Sequence, residues 1–318
     1  MATSSSTNYN QTRNEIISDA LALLGVIGIA NGTMETPTAG DITFCSGILN
    51  KMVKAWQAQG IHLWKEREGT VFLREDVNTY TLSSSSTDKA GIDAVETTLS
   101  AAATSGASTI TVTSSTGMSV SDNIGIELDD GTRQWTTISS ISTTTITLAT
   151  TLTDDAASGN TVFTYTTAVG RPLNITGARF RNADGTDRPV TLMGRTEFMQ
   201  IPNKTTTGKT NSIFYSPQLS NGKLYVWPTP DDVADRLKIS YIASIEDFDS
   251  STDDPDFPAE WLEALTYNLA VRIAPSYGKR LSKNDPEIIA VAADALLRMQ
   301  LWDSEQASIQ IVPNSHDN

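Results

Sequence analysis

The sequence predicts an α+β fold: a discontinuous four-helix bundle built from the N- and C-terminal helix pairs, with inserted β structure that includes a small β-barrel or sandwich. Three observations carry this expectation. Apolar residues recur at helical spacing in residues 12–60 and again in 258–303, at opposite ends of the chain. The stretch between them is rich in Ser, Thr and Gly, and short runs of Ile, Val, Leu, Trp and Tyr alternate within it. Hairpin-type dipeptides punctuate that stretch at Asp130-Gly131 and Asn221-Gly222. Each terminal helix pair has an apolar face to bury, and the other pair is the natural partner.

The opening MATSSSTNYNQ is polar and reads as a mobile arm. Thr12-Arg13-Asn14-Glu15 has the capping-box pattern, in which a hydroxyl and a carboxylate satisfy orphan amides reciprocally. Ile16, Ile17, Ala20, Leu21 and Leu24 follow at helical spacing, and Gly25 can end the helix. A second helix opens near Thr38 to Asp41, with Ile42, Cys45, Ile48, Leu49, Met52, Ala55 and Trp56 on one face and Gly60 as its stop. At the far end, Pro258 stands near a start for the stripe Trp261, Leu262, Leu265, Leu269 and Ile273. Asp285-Pro286-Glu287 is a second start signal, followed by Ile288, Ile289, Ala292, Ala295, Leu296, Met299 and Trp302.

Between the helices, strands are expected at 108–113, 124–128, 133–140, 144–149 and 161–166, enough for a small barrel or sandwich. A second β region takes 171–245, with 214–218 and 223–227 as the arms of the Asn221-Gly222 hairpin, 237–243 as the next strand, and 71–73 and 80–82 completing it. Pro228 and Pro230 end the second hairpin arm, because proline cannot donate to a ladder. The expected organisation is therefore an arm and first helix pair (1–65), a β region (66–97 with 168–250), an inserted β domain (98–167), a second helix pair (251–303) and a tail (304–318).

A net charge of −14 and a pI near 4.5 argue against a protein that grips DNA phosphates or an anionic membrane surface. A single cysteine, Cys45, allows no intrachain disulfide, and with only His62 and His316 there is no zinc-type cluster. The most apolar stretch, 16–30, contains Asp19 and is too short for a membrane span, so a soluble protein made in a cytoplasm is expected.

The acids of 246–263 lack the central Gly and fixed spacing of a calcium loop, and read as a solvated loop feeding a helix start. Glu66 and Glu68 near His62 read as water-facing side chains with no nucleophile beside them. Lys204 to Thr210 carries only the Gly-Lys-Thr tail of a phosphate loop and reads as a flexible loop. No catalytic residue, metal ligand or cofactor is assigned. In the tail, Ile309, Ile311 and Val312, ended by Pro313, have the look of a short strand that could dock on a partner.

Two stretches, 172–208 and 214–278, resemble the head-to-tail adaptor family of podovirus-type phages. The pieces that carry the resemblance are Gly222-Lys-Leu-Tyr-Val-Trp-Pro-Thr-Pro230, Ile239-Ser-Tyr241, Phe257-Pro-Ala-Glu-Trp261 and Ala274-Pro-Ser-Tyr-Gly278. The N-terminal helix pair is also similar, whereas the region near 98–167 departs from the pattern. The resemblance implies a virion protein at the head–tail junction. Twelve copies would form a ring between the portal protein and the tail nozzle or tube, with DNA passing through it unbound. Residues 98–167 would be an outward decoration able to touch a tail fibre, and residues 309–313 a portal-docking element. The alternatives are another tail component, such as a nozzle or tube protein, and a tail-associated cell-wall hydrolase.

Overall fold

The computed structural model describes residues 9–30, 32–60, 63–281 and 287–303. Five helices are present among them: α1 (Arg13–Leu23), α2 (Ala39–Ala58), α3 (Arg195–Gln200), α4 (Leu262–Ile273) and α5 (Glu287–Trp302). The chain divides into two compact units, one formed by Met1–Lys65 with Ile245–Asn318 and the other by Glu66–Ser244.

In the first unit α1 and α2 both start on capping boxes. Glu15 accepts from the Thr12 amide at 2.7 Å, and Asp41 accepts from the Thr38 amide at 3.2 Å. Gly25 and Gly60 follow the last turns in the left-handed region (φ +60° and +88°), where a side chain would be strained. The core joins Ile16, Ile17 and Leu21 of α1, Leu49, Met52 and Trp56 of α2, and Leu265, Leu269 and Ile273 of α4. Beside it Trp56, Trp64, Phe257 and Trp261 form an aromatic cluster with ring centroids 5.1–6.3 Å apart. Helix α5 lies along α4, where the Asn268 amide donates to Ala264 O and Ala292 O, both at 2.9 Å. Only Ala292 and Ala295 of α5 are fully buried.

The second unit is almost wholly β. One six-stranded antiparallel sheet runs in the order Val95–Thr98, Thr161–Tyr165, Asn123–Glu127, Arg133–Ser142, Thr145–Leu148, Thr109–Thr111. Its core is Ile110, Ile124, Ile126, Ile146, Val162 and their neighbours. A second six-stranded sheet runs Thr167–Ala168, Ala90–Ile92, Glu66–Phe72, Arg236–Ile242, Asn174–Arg181, Asp187–Pro189. The last sheet has four strands, Thr191–Leu192, Ser212–Pro217, Gly222–Trp227 and Thr79–Leu82, the first pair parallel. These two share a core of Val71, Tyr80, Phe180, Leu224, Val226 and Leu237, among others. Phe72 belongs to a separate cluster with Phe163 and Tyr165 of the first sheet.

The architecture corrects the expected fold class. The described residues hold eighteen strands against five helices, one of which lies in the β unit, so the chain is β-rich rather than a four-helix bundle carrying a small insertion. The physical reason is one of legibility. Helical stripes are long and periodic, whereas strands of two to five residues built on Ser and Thr read as loop. Within the helical unit α5 buries only Ala292 and Ala295 fully, with Ile288, Leu296 and Met299 partly buried beside them.

Candidate functional site

The acidic segment after Ser244 is a built loop rather than a loose run. Ile245 and Phe248 are buried against the helical core and act as its anchors. Asn50 of α2 grips Phe248 from both sides, donating to its carbonyl at 3.0 Å and accepting from its amide at 2.9 Å. Lys54, one turn on, donates to Ile245 O at 2.5 Å and pairs with Asp247 at 2.8 Å. Lys65 is buried and forms an ion pair with Asp256, whose carboxylate also accepts from the Glu246 amide at 3.0 Å.

With the backbone fixed, Glu246, Asp247, Asp249, Asp253, Asp254 and Asp256 line an open cavity of about 490 Å³. Asp253 accepts from the amides of Ser250 (2.6 Å) and Asp249 (2.9 Å), and the Ser250 bond chiefly holds its carboxyl below the usual range. No group of His, Cys, Asp and Glu among the described residues has the arrangement of a metal site. Chemically, the segment presents fixed negative charge to solvent.

The other sequence candidates fall apart in space. Lys209 of the Gly-Lys-Thr stretch is tied down, contrary to the flexible loop expected there. Its ammonium meets Asp235 at 2.7 Å, Asp231 at 3.1 Å and Asp232 at 3.5 Å. Burial alone would lower its pKa, but Asp235 and Asp231 outweigh that and hold it protonated, so it is not free to cradle a phosphate. Glu66 and Glu68 lie on a strand, where Glu66 accepts from Thr176 at 2.5 Å and Glu68 takes a bidentate bond from Arg179 at 2.9 and 3.0 Å. Cys45 is buried, its sulfur 3.7 Å from the Tyr277 hydroxyl, and burial pushes the thiol pKa up. His62, His316 and the docking candidates Ile309, Ile311, Val312 and Pro313 lie outside the described residues.

Two features escaped the sequence reading. Phe163 lies between two guanidinium groups, Arg133 at 4.5 Å and Arg236 at 4.6 Å from its ring centroid. Arg236 itself is buried and bonded to Glu96 at 2.6 Å. An Arg in strand alternation gives no local sign of such a stack, whose members come from strands far apart in sequence. The second is Lys65, whose burial depends on Asp256 at the other end of the chain.

No helix among the described residues is long and apolar enough to cross a membrane. No curated protein matches the chain. Among solved structures, the Gp54 tailspike of Acinetobacter baumannii bacteriophage AP22, determined with A. baumannii capsular saccharide, is similar over 24% of this chain at 12% identity and a TM-score of 0.22. The chain spans only 16% of that protein's length. VP17, a capsid protein of bacteriophage P23-77, is similar over 58% of this chain and 77% of its own, at 12% identity and a TM-score of 0.12. Scores this low carry no argument about fold or function. The family model of the SU10 adaptor protein, by contrast, matches residues 119–314, well over half of the chain. The chain therefore belongs to the SU10 adaptor family and is a bacteriophage structural protein, a component of the virion.

Proposed function

We propose that the protein forms a homo-oligomeric ring of twelve at the head–tail junction, joining the portal protein to the tail nozzle or tube, with DNA passing through it. Membership of the adaptor family is the observation that carries this reading. The pinned acidic loop supports it, because carboxylates fixed toward solvent around a channel would repel DNA and let it slide without sticking. In this reading the chain has no catalytic role and needs no cofactor. Residues 309–313 dock on the portal, and the sheet between Val95 and Tyr165, which has its own core, points outward toward a tail fibre. The abundance of strands is the one observation that favours a nozzle or tube protein instead, and the adaptor family match outweighs it.

Co-sedimentation with purified portal tests the proposal. A complex of defined stoichiometry, formed at physiological salt and stable to dilution, is the expected result. Sedimentation of the two proteins as independent species would overturn it.

A further inference from the structure

One face of the sheet that holds Glu66–Phe72, Arg236–Ile242 and Asn174–Arg181 gathers positive charge. The opposite face is apolar, with Phe180, Leu237 and Ile239 in the core. On the outer face the register sets Arg179 directly across from Lys238 and Arg181 directly across from Arg236. Like charges placed directly opposite on neighbouring strands are destabilising, and here two such pairs follow one another. Three of the four cations have a carboxylate. Arg179 donates to Glu68 at 2.9 and 3.0 Å, Arg181 to Asp187 at 2.7 and 2.8 Å, and Arg236 to Glu96 at 2.6 Å. Lys238 has none among the described residues. Half-buried, it donates to the Thr70 hydroxyl at 2.7 Å, on the strand to its other side. Burial pushes its pKa down, and Arg181, Arg236 and Arg179 push it further. A chain with 37 acids against 23 Lys and Arg has no shortage of carboxylates, so the gap at Lys238 is local. Local conflicts of this kind concentrate at functional sites.

We propose that Lys238, flanked by Arg179 and Arg181, seats a single carboxylate from another protein of the particle. This seat is independent of the ring reading. The charge count sets the ligand: four cations (Arg179, Arg181, Arg236, Lys238) against three carboxylates (Glu68, Asp187, Glu96) leave the group one negative charge short. Glu66, the remaining acid of this face, lies at the end of its strand opposite Ile242 and accepts from Thr176. The donor count agrees. An ammonium has three donors, and with Thr70 on one of them two are left for the oxygens of a carboxylate. A polyanion does not fit. Exposed Glu66 and Glu68 border the seat, and against them a DNA backbone would set a row of phosphates. The acidic run of a second copy, with six carboxylates in 246–256, meets the same repulsion. An isolated Asp or Glu among neutral or basic neighbours enters the seat and sets those neighbours against Glu66 and Glu68.

Carbodiimide coupling in intact particles, which joins an amine to a carboxylate in contact with it, tests the seat. Mass spectrometry should find Lys238 joined to an Asp or Glu of a different protein, and acetic anhydride should label Lys238 less in particles than in the isolated chain. A link to a second copy, or equal labelling with no link, would overturn the proposal. Substitution separates binding from structure. Lys238→Met relieves the repulsion opposite Arg179, so the isolated chain should melt at or above the wild-type temperature while particle assembly falls by about tenfold or more. Lys238→Arg keeps the charge and should assemble as the wild type does. A Lys238→Met chain that melts lower makes the lysine structural and overturns the seat, and one that assembles as well as the wild type overturns it equally.

Discussion

Replacing Phe163 should unfasten the two six-stranded sheets of the β unit. The ring belongs to the strand Thr161–Tyr165 of one sheet and stands 5.3 Å from Phe72 of the other. Arg133 and Arg236 cover it at 4.5 and 4.6 Å. Truncating a buried Phe to Ala costs about 3–5 kcal/mol through lost transfer energy and the cavity left behind. Each desolvated cation–π contact adds about 0.5–2 kcal/mol. Arg133 makes the loss worse: its Nε and Nη1 are buried without a hydrogen-bond partner, and burial pushes its pKa down to about 10, so the ring face joins the attraction of Glu127 in offsetting that burial. Phe163→Ala is therefore expected to lose roughly 4–9 kcal/mol, a large part of a typical domain's stability. Phe163→Leu keeps most of the apolar volume and loses the π face, and should cost about 1–3 kcal/mol. Urea unfolding of the full chain, with Arg133→Met and the double variant completing the cycle, measures both terms. A Phe163→Leu variant as stable as the wild type, with no coupling to Arg133, would refute the reasoning.

Three other outcomes are expected. Asp41 caps α2 and has a depressed pKa, chiefly from the Thr38 hydroxyl and then the Tyr277 hydroxyl at 2.7 Å. Its contribution is thus present above the ordinary carboxylate pKa of about 4 and lost as pH falls through the lower folded value. Thermal melts should show Asp41→Asn less stable than wild type at neutral pH, with the gap closing in acid. Gly125→Ala should destabilise the β unit by about 1–3 kcal/mol in denaturant titrations, because the new Cβ would lie 2.8 Å from the Trp135 ring. Deleting residues 304–318 should weaken portal binding in a pull-down while leaving the melting transition unchanged, and unchanged binding would remove the docking role given to Ile309, Ile311, Val312 and Pro313.

Local chemistry was legible in the sequence and long-range chemistry was not. The capping box at Thr12, the helix start near Thr38 and the hairpin at Asn221-Gly222 are complete within a few residues, and the structure has them where the residues indicate. The strand Asn174–Arg181 is not legible as an element because Gly177 and four charged or polar side chains break its alternation, at a register shift against Arg236–Ile242. Val95–Thr98 finds its partner in Thr161–Tyr165, about sixty residues on, and no local pattern announces such a pair. The fold class was misjudged for the same reason, since many short strands were outweighed by four strong helical stripes. For the candidate site, the acid run was plain in the sequence, but its anchoring by Asn50, Lys54 and Lys65 depends on contacts with α2 and the segment after it. The family likeness read from 172–208 and 214–278 falls inside the matched span. That span also begins at 119, within the region set aside as foreign to the family, and it leaves out the N-terminal helix pair thought to share the likeness.

The place proposed for this family member is a ring at the junction of head and tail. Cryo-electron microscopy of the intact particle, with the chain's two units fitted separately into density, tests it most directly. Twelve copies in a closed ring beneath the portal are expected, with the acidic loop of 246–256 facing the DNA channel. Density for the chain in the capsid shell or along the tail surface, away from the portal, would contradict it.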